Sequence, residues 1–541
     1  MPYVRKIRDD LNEPDQDHSK LLCDTKIALQ QACFHHQQGE LEHAKVIYHQ
    51  ILAIEPENPD ALHLLGVIAH QNHNYKDGIK LISRAIEIDP SQSSFFNSLA
   101  NVLKESGQYP QALEAYNHAA TINPQDELVY NNIGVLEHEQ GKLDQAINAY
   151  RKAIAINPNY FEGYSNLGIA FKEQGKLDQA IESYQQAIVI NPNYSAGHNN
   201  LGLALTEQGK LDQAVDAYQQ AIQADPYYIE AYNNMSYLEL LRGDYAEGWY
   251  HYMARKIKPI DKLLPFDKSG TDLFQKKIFL IHEQGLGDEI FFLRFVPQLK
   301  LRKAYVIYQS HPKLVNLITR LAFIDQVVVS QNLPIKPDLT FSVADLPFLM
   351  GMKSIAEIPP PVFFPGVAED RSMILGELVD YGPPPYVGVT WRAGTKTFRR
   401  TRFLYLHKEV SPEVIALLLK DIDATILILQ RNPTRSELNE FDEHLGRKAH
   451  DLSRFNQDLD NMAKLLASLD EYIAVSNTNV HLRAAVGKTS RVLVPFPPEW
   501  RWMDTGTDSP WYPGTALYRQ SMSGDWTESV RRLKDDLETQ F

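Results

Sequence analysis

Cysteine is nearly absent. Cys23 and Cys33 are the only two in 541 residues, too few for a disulfide framework or a four-cysteine metal site. They read as two reduced thiols. An excess of positive charge is also missing: 54 lysines and arginines against 68 aspartates and glutamates leave a formal charge of −14. That argues against general binding to nucleic acid or an anionic membrane, though a local basic cluster can still hold phosphate. No apolar run approaches the roughly 20 residues needed to cross a bilayer. The opening segment, Met1 to Asp10, lacks the apolar core of a secretory signal, so a cytoplasmic protein is expected. His35-His36 and His70 show no metal-ligand grouping. The composition, 44% hydrophobic and 23% charged, suits several globular domains, each with its own core.

What the sequence does have is a repeat. Prolines fall at 56, 90, 124, 158, 192 and 226, a constant step of 34 residues. Gly134, Gly168 and Gly202 keep the same step, as do Ala146, Ala180 and Ala214, and Tyr116, Tyr150, Tyr184 and Tyr218. This order of small, aromatic and proline positions resembles the tetratricopeptide repeat. The resemblance implies units of two antiparallel helices, with small residues at the close approach and the proline ending the second helix. Six units end at those prolines, and residues 229–256 form a seventh with Gly248 and Tyr252 in phase. The repeats are expected over residues 25–256, after a polar tail or helical lead-in at 1–24.

Asn132, Asn166, Asn200 and Asn234 form a second ladder at the same step. A primary amide both donates and accepts, so a row of them can grip an extended peptide backbone. Equally, asparagine can be the repeat's own preferred residue there. A similar ladder is a feature of the O-GlcNAc transferase superhelix, where it holds protein acceptors. Leu64 and Ser98 occupy the matching places in earlier units.

A linker is expected at 257–274, and then strand-like runs alternate with helical ones. Strands are expected at Ile278–Ile281, Tyr305–Tyr308 and Val327–Val329, with helices near 289–300 and 312–322. Proline triplets at 359–361 and 383–385 bracket a break. A second alternation follows, with strands at Tyr386–Trp391, Thr425–Leu429, Tyr472–Val475 and Arg491–Val494. Helices are expected near 412–420, 434–445, 458–469 and 478–487. This is the rhythm of open parallel sheets. It predicts two Rossmann-like domains, 275–380 and 381–541, facing each other across a cleft. Sites in such sheets lie at the carboxyl ends of the strands. There the first domain carries Glu283-Gln-Gly-Leu-Gly-Asp288, in which Gly285 and Gly287 allow a tight turn and Asp288 opens a helix.

That segment is joined by Val387-Gly-Val-Thr-Trp391, Ser476-Asn-Thr-Asn-Val-His481, Pro497-Pro-Glu-Trp-Arg-Trp502, Asp508-Ser-Pro-Trp-Tyr-Pro513 and Gly524-Asp-Trp526. Together they resemble bacterial repeat-containing glycosyltransferases, whose catalytic half is similar to the heptosyltransferase family. The resemblance implies a GT-B fold and an inverting transfer of a hexosyl or heptosyl unit from a nucleotide sugar. It implies no essential metal and no cofactor beyond that co-substrate. The amino-terminal domain would face the acceptor and the carboxyl-terminal one would hold the donor.

Asp288 matches the aspartate that serves as general base in that family, although aspartate is also a preferred helix N-cap. For the diphosphate the candidates are Gly285 and Gly287, then Lys396 and Arg399 in a basic loop with Arg400 and Arg402. Ser476, Asn477, Thr478 and His481, at the start of a helix, complete the set. The commoner family version has aspartate where Ser476 stands. Gln430, at a strand end, is a candidate neighbour of the nucleobase, or an ordinary strand-end polar residue. Trp500, Trp502, Trp511 and Trp526 cluster near the end of the chain; Trp526 is expected to pack, while Trp500 and Trp502 suit either packing or stacking on sugar or base. The acceptor is expected to be a protein or peptide held by the repeats, with no nucleic acid and no membrane span. Two other readings stay open: a scaffold whose transferase half no longer turns over, and a transferase acting on a glycan.

Overall fold

The computed structural model describes residues 17–255, 272–330, 336–394 and 408–541, the side chains of 17–24 lying outside that description. The chain forms two compact units, one up to Gly197 and one from His198 to Phe541.

The first unit is a helical solenoid. Its antiparallel pairs are Asp17–Gln37 with Leu41–Ile54, Pro59–Gln71 with Tyr75–Ile88, Ser93–Glu105 with Tyr109–Ile122, Glu127–Glu139 with Leu143–Ile156, and Phe161–Glu173 with Leu177–Ile190. The second helix of each pair stops two residues before a proline. The residue between is forced out of the helical region, as at Asn157 with φ −124° and ψ 94°. The repeated glycine and tyrosine are partners. A Cβ on Gly134 would lie 2.4 Å from Cε1 of Tyr150, and one on Gly168 would lie 2.6 Å from Cε1 of Tyr184. The ring therefore fills the place where the glycine has no side chain, and Tyr116, Tyr150 and Tyr184 are all buried. A further ladder sits in the turns within the pairs. Gly107, Gly141 and Gly175 take φ of 80°, 75° and 75°, while His73, at the same place, holds φ 58°, a conformation that suits glycine.

The expectation of no metal-ligand grouping around the early histidines needs one correction. His35 Nδ1 lies 2.5 Å from Glu40 Oε2, and His43 Nδ1 lies 3.8 Å from the same atom. All three ligand atoms fall within 4.8 Å of one another. A helix-to-helix turn brings them together, which linear spacing does not show. His36 instead bonds Gln71 and His70 pairs with Glu105.

The second unit contains the last two helix pairs, ending at Tyr252, and two sheets. The first sheet comprises β1 (Lys277–Ile281), β2 (Tyr305–Gln309), β3 (Gln326–Val328) and β4 (Leu339–Ser342), all parallel, in the order β3-β2-β1-β4. The second sheet comprises β5 (Tyr386–Thr390), β6 (Thr425–Ile428), β7 (His450–Asp451), β8 (Glu471–Val475), β9 (Arg491–Val494), β10 (Asp508–Ser509) and β11 (Tyr512–Arg519). Its order is β10-β11-β9-β8-β5-β6-β7, parallel throughout except for the β10–β11 pair. β5 and β8 are buried along their whole length, as strands covered on both faces must be. Val389, Ile428, Ile473 and Val475 meet Ile415, Phe441, Leu533 and Leu537 from the covering helices in one core. Trp526 packs on its edge, as expected.

Four strands escape the sequence pattern: β4, β7, β10 and β11. β7 and β10 have two residues each, too few to show a period, and β4 has four. The proline-bracketed break holds a helix, Ser372–Val379. The expected helix near 289–300 is three short pieces, Leu286–Phe292, the 3-10 turn Leu293–Phe295, and Pro297–Leu301. Pro297 has no N–H to continue one helix.

The last repeat packs directly on the sheets. Trp249 is 1% exposed, and its ring centroid lies 5.5 Å from that of Trp500 and 6.2 Å from that of Trp511. Arg255 bonds Glu283 at 2.8 Å and Asp345 at 2.5 Å. Tyr237 donates to the carbonyl of Pro498.

Candidate functional site

In each sheet the first strand in the chain has two later strands as neighbours, one on either side, so the crossovers run in opposite directions from it: β1 lies between β2 and β4, and β5 lies between β6 and β8. The carboxyl ends of such strands open a crevice. One cleft of about 190 Å³ is walled from both sheets at those ends. Gly285 to Asp288 line it from the first. Thr390, Arg392, Arg431, Lys408, Ser476 to Asn479, His481, Glu499 and Arg501 line it from the second.

Asp288 sits in the first turn of Leu286–Phe292, and Gly285 N–H donates to its Oδ2 at 3.3 Å. Its Oδ1 is bonded by Arg501, which also bonds Glu499. Asp288 keeps 28% of its side chain exposed, against 5% for both Arg501 and Glu499. Glu499 accepts from Ser476 Oγ at 2.5 Å and pairs with Lys408 Nζ at 2.6 Å. Burial works against the charge of Glu499, but Lys408 and Arg501 overcome it and hold the carboxyl far below its usual range. Burial likewise opposes the charge of Arg501, and Glu499 and Asp288 outweigh it. A chain of alternating charge thus runs from part-exposed Lys408 through buried Glu499 and Arg501 to part-exposed Asp288. The two buried ions are partners of each other, without which their burial would cost several kcal/mol.

The two motif glycines do not make the tight turn expected of them: the positive φ, 67°, belongs to Gln284. Gly287 is needed for close approach. A Cβ there would lie 2.7 Å from His481 Cδ2 and 3.5 Å from Thr478 Cα. His481 is 5% exposed and bonds the Tyr512 hydroxyl through Nδ1. Burial first, then the Arg501 charge, hold it well below its ordinary pKa, so its imidazole is neutral. Asn477 is the cap of Thr478–Ala485, its Oδ1 accepting from Asn479 N–H at 2.8 Å and Val480 N–H at 3.3 Å. That leaves Thr478 as the turn's hydroxyl on the cleft besides Ser476.

Gln430 is not brought to the cleft. It is 0% exposed, its Oε1 accepts from the Trp391 and Arg392 amides, and its Nε2 donates to the carbonyls of Arg392 and Arg431. A side chain so fully used by backbone cannot read a base. Lys396, Arg399, Arg400 and Arg402 lie outside the described residues. Trp502 and Trp511 are 1% and 0% exposed and Trp500 is 8%, so all three pack.

Sequence reasoning missed Lys408, Arg431, Glu499 and Arg501. Glu499 and Arg501 flank Trp500 in a segment already singled out, but only the fold brings that segment over Ser476. Arg392 also lines the cleft, with its guanidinium tied to Glu437 at 2.7 Å. Arg431 stands exposed at the rim.

The asparagine ladder is engaged within the solenoid. Asn132 Nδ2 donates to Asn97 Oδ1 at 3.0 Å, and Asn166 to Asn131 at 2.9 Å. In the second unit Asn234 donates to Asn199 at 2.9 Å, with Asn234 3% exposed. Asn200 is half-buried. Part of the hydrogen-bonding capacity of Asn132, Asn166 and Asn234 therefore joins one repeat to the next.

The helix pairs and the cleft define a tetratricopeptide-repeat solenoid followed by a region of two parallel sheets with helices. Models of the tetratricopeptide repeat match residues 35–102 and 195–228, and a TPR repeat model matches 100–138, 134–175 and 170–208. Repeats of this kind imply binding of a protein or peptide. Protein FlbA of Caulobacter vibrioides is 25% identical over 324 residues, which cover 54% of this chain and 52% of FlbA. The chain thus spans about half the length of that curated relative. The crystal structure of MamA is 23% identical, covering 30% of this chain and 95% of its own, with a TM-score of 0.28. PilF of Pseudomonas aeruginosa is 21% identical, covering 37% and 92%, with a TM-score of 0.34. YrrB, described as a TPR protein with an unusual peptide-binding site, is 16% identical, covering 34% and 95%, with a TM-score of 0.28. Among the described residues no helix is long and apolar enough to cross a membrane.

Proposed function

We propose that the chain is a GT-B glycosyltransferase that moves a sugar from a nucleotide sugar to a protein or peptide acceptor recruited by the repeats. The observation that carries this is the meeting of an acid from one sheet, Asp288, with cations and a helix-start turn from the other. Asp288 would take the proton of an acceptor hydroxyl. Arg501, Lys408 and the Ser476–His481 turn would steady the departing diphosphate. The positive charge that the leaving group needs is thus supplied by side chains, in keeping with a metal-independent inverting displacement. Lys396 and Arg399 remain candidates for the same role from the basic loop.

The test is transfer or donor hydrolysis by the full chain with UDP-, GDP- and ADP-sugars. Asp288→Asn should lower the rate by ~10²–10⁴ with the melting temperature unchanged; an unchanged rate would refute the assignment. Replacing Asn166, Asn200 and Asn234 by Ala should lower transfer to a protein acceptor and spare donor hydrolysis. The scaffold reading has one observation in its favour, the occupation of Asp288 by Arg501. It predicts nucleotide binding without turnover.

A further inference from the structure

Arg501 is the cleft cation with the fewest places to go. Its side chain is 5% exposed, and its Cζ stands 4.4 Å from the ring centroids of both Phe291 and Trp500. Of its three nitrogens, Nη1 bonds Glu499 and Nη2 bonds Asp288. Nε is buried and meets no acceptor among the described residues. The two carboxylates are not equivalent. Glu499 is buried and held from two further sides, by Ser476 and Lys408. Asp288 is 28% exposed, and its other bond is the 3.3 Å one from Gly285. Of the two carboxylates, Asp288 is thus the less firmly held and the one an oxyanion in the cleft would compete with for the guanidinium. A phosphate competes well, because guanidinium binds it in the same two-pronged, charge-assisted manner as a carboxylate.

We propose that Arg501 is a donor-operated latch on Asp288. A diphosphate group entering the cleft takes the Arg501 Nη2 edge for one of its oxygens, and the Asp288 carboxylate is released to act as base. This rests on the glycosyltransferase reading of the cleft. The step then balances. The acceptor hydroxyl passes its proton to Asp288 as its oxygen bonds to the anomeric carbon. The bond from that carbon to the diphosphate breaks, and the electron pair leaves with the diphosphate, whose charge Arg501 already holds. The base is thus tied up by a cation until the donor arrives, which orders the reaction with donor before acceptor.

The test is a double-mutant cycle on binding of UDP, GDP, ADP and CDP to the full chain, read by titration calorimetry. For the diphosphate that binds best, Asp288→Asn should tighten binding about fivefold or more by removing the competitor. Arg501→Ala should weaken it at least about tenfold, and Asp288→Asn should add nothing in the Arg501→Ala background. Arg501→Lys, which keeps a charge for Glu499, repeats the cycle should the alanine variant fold poorly, with the gain from Asp288→Asn reduced. Equal tightening in both backgrounds means plain charge repulsion and overturns the latch. So does unchanged affinity in either single variant, Asp288→Asn or Arg501→Ala. If the wild-type chain binds none of the four diphosphates, the transferase reading itself falls, and the latch with it.

Discussion

Gly287 shows how one missing side chain can bring two sheets' loops together. With a Cβ 2.7 Å from His481, Gly287→Ala must push apart the turn that carries Asp288 and the one that carries Thr478. Overpacking of this kind costs about 1–3 kcal/mol. On the proposed function, the expected result is a folded variant whose binding of nucleoside diphosphate drops at least about tenfold, checked by calorimetry beside a melting curve. Its neighbour Glu289 carries a different consequence. It is 1% exposed and accepts from the His311 amide at 3.2 Å. Burial, only partly offset by that bond and by the Ser310 and Tyr308 hydroxyls, pushes its carboxyl up from 4.5 to about 7. The folded chain therefore keeps a proton that the unfolded chain has released. The stabilisation is complete below about pH 4.5 and is lost as pH rises through about 7. Between about pH 5 and pH 8 the wild-type second unit should lose on the order of 3 kcal/mol from this group, and Glu289→Gln should flatten the loss. Urea midpoints across that range check it.

At the scale of elements, the repeats follow from local rules. Proline stops a helix, a small residue admits a ring, and a turn takes glycine, so a step of 34 residues in the sequence becomes a stack of helix pairs. The asparagines are another matter. Their spacing was plain, but the partners of Asn132, Asn166 and Asn234, each 35 residues earlier, were visible only once the helices were stacked. The parallel strands were similarly legible where they are apolar and at least four residues long, as at β5, β6, β8 and β9. β7 and β10 are ladder pairings of two residues each, defined by their neighbours rather than by any pattern of their own. The glycine motif after β1 was rightly placed at a strand end. Its turn conformation was wrongly assigned, because Gln284 carries the left-handed residue.

At the scale of the whole molecule, the last repeat and the sheets of the second unit share a buried aromatic cluster built on Trp249. Its ring meets Trp500, Trp511, Phe292 and Tyr252 at centroid separations of 5.4–6.2 Å. Trp500 in turn backs Arg501, so damage to the cluster reaches the cleft. Trp249→Ala should cost about 3–5 kcal/mol, lower the melting temperature of the second unit, and weaken nucleoside diphosphate binding. Truncating an exposed aromatic such as Tyr227, 87% exposed, should do neither.

By itself the sequence determined the repeat period, the alternation of strands and helices, and the strand-end motifs that carry Asp288 and the Ser476–His481 turn. These depend on interactions within a few residues, or on a pattern that local burial imposes. Tertiary structure alone decided which charges face Asp288. Arg501 is 213 residues away in the chain, and no periodicity records a contact made across two separate sheets. The same reason took Gln430 out of the site and brought Glu499 and Lys408 into it, since a polar side chain at a strand end can satisfy either the backbone beside it or the cleft in front.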